Sequence, residues 1–509
     1  MRARCPHASE RTAPEAWDNR IIRSVPHENP MKFIALTQPH AIFGAALYLA
    51  LFCIPIQMVQ AQALPDVVGA ALKRASIPAS STGTYVQEVD GPRVLIAANN
   101  AIAFNPASTM KLVTSAAALE LLGPTYTWKT RAFTTGIQAG DVLQGDLAFK
   151  GGGDPKLVLE NFWLFLRQIR AQGVREIRGN VVLDRSFFAA DVHDPARFDG
   201  DPAKPYNAGP DALLLSYKAL TLRLVPDSVS GVATVTVDPP LAGITLVAPQ
   251  LSNEECGAWQ SKLRLNSSAA RIGFDGRMPA ACGEKFWNIH PYGMTQTQYF
   301  GAVFRQMWRD VGGVFQGEVV DGVVSPQARL LAERESVSLA EVIRDMNKFS
   351  NNVMARQLLL TIAAETEKTP ATAERGAHVV KTWLAARGIE NPDVIIENGS
   401  GLSRNERIAA GTMGRMLVAA FRAPTMAEFV SSLPLVGFDG TMRRRLQDRG
   451  VAGRAHIKTG SLNDVRAIAG YVLAASGKHY AVVSLINHAN ASRGQEAQDL
   501  LLQWIYEKG

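Results

Sequence analysis

The pattern of apolar and polar positions changes character several times along the chain. Residues 41–59, beginning AIFGAALYLALFCIPI, are almost unbroken apolar sequence. From 65 to 105 the pattern predicts a helix and then two strands, 85–89 and 94–97, with Asp90-Gly91 as the turn between them. Residues 108–122 carry a helical pattern that stops at Gly123-Pro124. From 125 to 325 short β-rich runs, such as Val181-Val182-Leu183 and 232–237, alternate with Gly, Pro, Asp and Asn. One amphipathic helix interrupts them at about 157–172, and Asp154-Pro155 reads as its cap and first helical position. Residues 336–440 turn helical again. A hairpin is expected over 465–488, turning near Ser476-Gly477. The last helix carries Ala497, Leu500, Leu501, Trp504 and Ile505 on one face, which suits packing on the neighbouring sheet or, as the alternative, a membrane surface.

Helical and sheet segments at both ends therefore flank a β-rich middle, an α/β (α+β) organisation. With 509 residues, 47% of them hydrophobic and 19% charged, the chain is a folded protein of more than one domain and not a disordered one. The formal charge of +7 comes without a Lys/Arg-rich block or a nucleic-acid motif, so no nucleic-acid partner is expected. Mild attraction to an anionic wall polymer or lipid, or a merely solvated surface, both fit it. The apolar run leads into Ala61-Gln62-Ala63, the small-x-small pattern of a signal-peptidase site. An exported, periplasmic protein starting at Leu64 is expected, with an N-terminal anchor as the alternative. Met31-Lys32 stands at a normal distance before the run, so Met31 competes with Met1 as the start. Beyond residue 63 only Cys256 and Cys282 remain, and in an exported chain they read as one disulfide, with two free thiols as the alternative.

Three short motifs carry chemistry. Ser108-Thr109-Met110-Lys111 opens a helix, so the Ser and Lys side chains share one face a turn apart, and the helix N-terminus favours an anionic nucleophile. The lysine can accept a proton only if burial or a second cation lowers its pKa. Ser350-Asn351-Asn352 lies between two helical runs, the first opened by a capping box, Ser338 to Glu341. Alone it reads as a connecting turn. Lys458-Thr459-Gly460-Ser461 precedes the hairpin and offers a cation, hydroxyls and a glycine that permits close backbone approach. Each motif is weak alone. In this order and context they form the signature of penicillin-recognising serine enzymes. There is no G-x-S-x-G elbow, since Asn398-Gly399-Ser400-Gly401 does not fit it, and no H-E-x-x-H. Gly151-Gly152-Gly153-Asp154-Pro155 is not a phosphate loop. No metal or other cofactor is called for.

The chain resembles the class C low-molecular-mass penicillin-binding proteins, the D-alanyl-D-alanine carboxypeptidase/endopeptidase group of peptidase family S13 (penicillin-binding protein 4 type). Besides the three motifs, the resemblance rests on Asn105-Pro106-Ala107, the Gly151 to Pro155 segment, Pro205-Tyr206-Asn207, Pro210 to Leu214, Gly399 to Arg404 and Gly437 to Met442. It implies a β-lactamase/transpeptidase-like catalytic domain, with helices packed on an antiparallel sheet, and a large inserted domain carrying a further insertion. The expected boundaries are 64–128 and 328–509 for the catalytic domain, 129–327 for the insertion and about 137–209 for the inner one. Asn398 departs from the Asp found in relatives at this place, and Asn351 is also often Asp there.

The expected reaction is acyl transfer on D-Ala-D-Ala-type bonds of peptidoglycan stem peptides, with β-lactams as covalent inhibitors. Ser108 is the nucleophile and Lys111 its base. Ser350 relays a proton to the leaving amine, Lys458 helps keep Lys111 neutral, and Asn352 holds the substrate amide. Backbone N–H groups of Ser108 and Ser461 form the oxyanion hole. Thr459 and Ser461, beside Gly460, hold the terminal carboxylate with Lys458. The resemblance implies that Arg404 binds the free acid end of a diaminopimelate side chain; a plain surface arginine is the alternative. A serine β-lactamase, and a wall scaffold with a relic site, are the competing functions.

Overall fold

The computed structural model describes residues 63–509 apart from 191, 390, 391 and 393; the readings made for the leader at 1–62 lie outside the described residues. At the centre is a five-stranded antiparallel sheet in the spatial order Val94–Ala98, Thr82–Glu88, His479–Asn487, Val465–Leu473, Ala455–Leu462. An early strand thus lies beside the last one, with Thr84 opposite Ser484.

Because successive side chains point to opposite faces, each strand feeds two cores. Tyr85, Ala467, Ala469 and Val483 face a helical layer that includes Met110–Leu122, Leu339–Phe349, Asn352–Glu367 and Ala410–Arg422. Val86, Ile96, Ile468 and Val482 face the helices Asp66–Arg74 and Gln495–Lys508. A strand covered on both sides reads as a continuous apolar run, as Ala481-Val482-Val483 does. Burying each such valine or isoleucine contributes roughly 1.5–3 kcal/mol. The last helix buries Ala497, Leu501, Leu502 and Ile505 in this second core, with Leu500 and Trp504 partly buried beside them, so its apolar face is taken by the sheet. Among the described residues no helix is long and apolar enough to cross a membrane.

The middle of the chain leaves along Lys129–Thr134 and returns along Arg329–Glu335, paired antiparallel with Lys129 opposite Glu335. Lys129 and Arg131 form ion pairs with Glu333 across this seam. Between them a separate core draws on residues 132–331 alone, centred on the rings of Phe149, Phe162, Phe165, Phe300 and Phe304. The segment 137–209 does not stand apart as an inner insertion. Its strands Leu147–Lys150 and Val181–Asp184 lie inside a five-stranded sheet, between Val319–Asp321 and Lys129–Thr134. These strands meet through parallel pairs between residues far apart in sequence, which local periodicity does not register. The self-contained sheet is instead built from strands within 220–289, with Leu220 opposite Ile289 where it opens and closes. Cys256 and Cys282 are joined there as a disulfide. The helix expected at about 157–172 runs over Leu159–Ala171 with Val158 at its cap; Asp154 instead accepts a hydrogen bond from Lys156 N (2.7 Å) in the turn ahead of it.

Candidate active site

The site is assembled where the start of one helix, the junction of two others and the edge of the central sheet meet. Asn105 accepts the N–H of Ala107 on its side-chain oxygen (2.9 Å), and Ala107 takes a left-handed φ of 44°. This tight turn delivers Ser108 just ahead of the helix Met110–Leu122. Two glycines make room for it. A Cβ on Gly401 would stand 1.8 Å from Ala107 O, and one on Gly460 would stand 2.8 Å from Pro106 O and 2.9 Å from Ser108 N. The glycine of the third motif is therefore required by the backbone of the first.

Lys111 is fully buried. Its Nζ donates to Ser108 Oγ (3.0 Å), to Asn352 Oδ1 (2.6 Å) and to the carbonyl of Ser400. The helix Leu339–Phe349 ends at Ser350, whose φ of 57° is left-handed, and Asn351 caps the next helix by accepting the N–H of Met354 (3.0 Å). The second motif is thus a connecting turn as well as a site: Asn351 holds the turn while Ser350 and Asn352 reach the two lysines. Lys458, equally buried, donates to Ser350 Oγ (2.8 Å) and to Thr459 O (2.7 Å). Thr459 donates to Thr441 Oγ1 (2.8 Å), and Ser461 accepts from the Arg466 guanidinium opposite it (2.7 Å).

Burial sets the protonation of both lysines. Desolvation pushes Lys111 well below the ordinary lysine range, and the neighbouring Lys458 pushes it further. Desolvation lowers Lys458 to about 7. A neutral amine one hydrogen bond from a serine hydroxyl can take up its proton, so the Lys111–Ser108 contact has the geometry of an activated nucleophile.

The loop 397–406 closes the floor. Asn398 accepts from the N–H and hydroxyl of Ser400 and donates from its amide to Leu402 O (3.0 Å). An aspartate could make the first two bonds but not the last, which accounts for the amide here. Glu406, not singled out by the sequence, is fully buried, and its Oε1 accepts three successive N–H groups, from Glu397, Asn398 and Gly399. No motif marks it; a lone acidic residue in a Gly/Ser-rich loop ordinarily reads as surface.

Arg404 lies at the margin of this assembly. Its guanidinium pairs with Asp464 (3.1 Å) and stacks on the ring of Phe198, a residue of the long middle segment (4.7 Å to the ring centre). Arg197 also reaches across to Glu397 (3.3 Å). The middle segment is anchored further by Gln357, which donates to Gly153 O and Asp211 O and accepts from Asp211 N. The disulfide lies in the remote sheet, apart from these contacts. Among the described residues there is no group of three His, Cys, Asp or Glu side chains arranged to hold a metal ion.

Residues 65–508 match the D-Ala-D-Ala carboxypeptidase 3 (S13) family. The chain is 26% identical over 460 residues to the D-alanyl-D-alanine carboxypeptidase of Actinomadura sp. (strain R39), covering 84% of this chain and 81% of that one. It is 27% identical over 420 residues to the D-alanyl-D-alanine carboxypeptidase DacB of Haemophilus influenzae, covering 80% and 85%. The fold is shared with the crystal structure of penicillin binding protein 4 (dacB) from Haemophilus influenzae, at a TM-score of 0.75 and 24% identity, over 86% of this chain and 99% of that one. With residues 65–508 matched by the family, both ends of the central sheet included, the chain belongs to the D-Ala-D-Ala carboxypeptidase 3 (S13) family and is a serine-type hydrolase of D-Ala-D-Ala peptide bonds.

Proposed function

We propose that Ser108 attacks the carbonyl of the penultimate D-Ala and passes its proton to Lys111. The observation that carries this reading is the coupling of two serine–lysine pairs, Lys111 with Ser108 and Lys458 with Ser350. The tetrahedral oxyanion is received by the N–H groups of Ser108 and Ser461. Ser350 carries a proton to the departing amine, drawing on the hydrogen bond from Lys458. Asn352, on Lys111 through its side-chain oxygen, turns its amide to the substrate. Thr459 and Ser461 hold the terminal carboxylate together with the charge of Lys458. Water then releases the acyl group. A β-lactam, whose strained amide and carboxylate imitate the substrate, follows the first half of this course and stays on Ser108.

The stretch 129–327 serves as a lobe that narrows access to the cleft. Phe198 and Arg197 support this, since they bring that lobe to Arg404 and Glu397. In this reading Arg404 receives the free acid of a substrate side chain. An oxidising, extracytoplasmic location, reached after cleavage behind Ala63, suits both the wall substrate and the Cys256–Cys282 bridge.

The test is labelling of the purified protein with a fluorescent penicillin, followed by product analysis on muropeptides. Stoichiometric labelling and release of terminal D-Ala, or cleavage of cross-links, are expected. Ser108→Ala should fold and remain unlabelled; stoichiometric labelling of that variant sinks the assignment. Rapid hydrolysis of the penicillin without muropeptide products would instead identify a β-lactamase.

A further inference from the structure

Glu406 is an unusual residue to find beneath a catalytic lysine. It is fully buried, and its two oxygens are treated differently. Oε1 gathers the N–H groups of Glu397, Asn398 and Gly399 at 3.0–3.1 Å, whereas Oε2 is buried with no hydrogen-bond partner. Burial pushes the pKa of this carboxyl up, and the three donors on one oxygen work against that, toward the ionised form. They also fix the backbone of 397–399, whose next residue, Ser400, offers its carbonyl to Lys111 Nζ. The charged groups within electrostatic reach are Lys111 from the helix Met110–Leu122, Arg356 from the helix Asn352–Glu367, Glu397 from the same loop and, beyond Lys111, Lys458.

Arg356 is itself buried, donates to Ala208 O (2.7 Å) and stays cationic, its pKa lowered by burial only to about 10. A carboxyl group and a cationic guanidinium therefore flank Lys111 from two elements, and burial holds the Glu406 carboxyl above the ordinary carboxylate range. Each acts on the lysine in the opposite sense: the carboxylate favours the ammonium form, the guanidinium the amine.

Resting on the reading of Lys111 as the base for Ser108, we propose that Glu406 is a positioning residue for acylation: its carboxyl clamps the backbone of 397–399, which holds the Ser400 carbonyl on Lys111, and places an acid beneath that lysine. It touches neither substrate nor nucleophile and acts through Lys111 alone. The loop clamp needs only an acceptor oxygen at Oε1, which an amide supplies. The charge effect needs the carboxylate. Glu406→Gln separates the two.

The experiment is the second-order rate of acylation by a fluorescent penicillin, measured between pH 5 and 10 for the full chain, wild type beside variants. On the acidic side the rate rises as Lys111 loses its proton. In Glu406→Gln the clamp stays and the anion goes, so that limb moves to lower pH, by on the order of one pH unit for one charge at an effective dielectric of about 20. Glu406→Asp keeps the charge and leaves the limb in place. Complete end-point labelling of Glu406→Gln shows that the nucleophile is intact. A limb that coincides with the wild type, or moves to higher pH, overturns the proposal while leaving the Ser108 reading untouched. Failure of the wild type itself to label removes that reading instead. If Glu406→Gln does not fold, it is combined with Arg356→Gln and compared with Arg356→Gln alone; the limb of the double variant lies at lower pH than that of the single one, and coincident limbs overturn the proposal.

Discussion

Ser350 Oγ and Lys458 Nζ lie 2.8 Å apart although 108 positions separate them in the chain. The contact ties the end of a helix to the edge of the central sheet and brings a second buried amine beside Lys111. Removing it tests how the two lysines divide the proton. Lys458 lowers the pKa of Lys111. Lys458→Met should slow acylation strongly and move the acidic limb of its pH profile to higher pH, because a cation that disfavoured the Lys111 ammonium is gone. A limb at the wild-type position would separate Lys458 from the protonation of Lys111.

Lys111→Ala should cost roughly 10³-fold in the acylation rate, the scale of a lost general base, with the same penicillin still seated in the cleft. Stopped-flow acylation under pseudo-first-order conditions reads this directly. A rate within a few-fold of wild type would transfer the role of base to another group.

Gly460→Ala should lose most acylation, because its Cβ would press at 2.9 Å on the Ser108 N–H proposed above to receive the oxyanion. Gly401→Ala should be worse and should also lower the melting temperature, since the clash with Ala107 O is closer and φ is +80°. Thermal melts beside labelling separate the two cases; an active, stable Gly401→Ala would contradict the packing described here.

Arg404 is held by Asp464 before any substrate arrives. If it receives a side-chain acid, the incoming carboxylate must compete with that pairing. Arg404→Ala should raise KM for stem peptides with a free side-chain acid and leave penicillin acylation within about two-fold, as befits an exposed pair. Asp464→Asn should lower KM for the same peptides. Equal KM values for acid and amide peptides in the wild type would reduce Arg404 to a surface arginine.

Cys256→Ser/Cys282→Ser should destabilise the sheet of 220–289 by about 3 kcal/mol, the chain-entropy scale for a loop of this length. Acylation at Ser108 should persist, because the bridge lies apart from the site. Differential scanning calorimetry with and without reductant, beside labelling, distinguishes local from global loss.

Much of this was legible beforehand where chemistry and periodicity are local. The Ser108 helix, the hairpin 465–488, the cap at Ser338 and the three motifs all follow from short-range pattern. What lay beyond reach depends on partners distant in sequence. The limits of the inner sheet are set by pairings such as Leu147 with Val181 and Val181 with Val319, and no window of neighbours contains them. Glu406 looks like any loop acid until three backbone N–H groups and a buried lysine surround it. Arg404 was visible as a candidate, but its engagement with Asp464 and Phe198 was not.

The neighbouring positions of Thr82–Glu88 and His479–Asn487 have a consequence for biosynthesis. A ribosome or translocon releases the Ser108 segment early, yet the sheet that frames it cannot close until almost the last residues have emerged. Lys458 and Gly460 arrive shortly before that closing strand. The contacts that complete the site, Lys458 on Ser350 and Gly460 against Ser108, thus form only when nearly the whole chain is out, so synthesis itself orders the assembly of the nucleophile's surroundings.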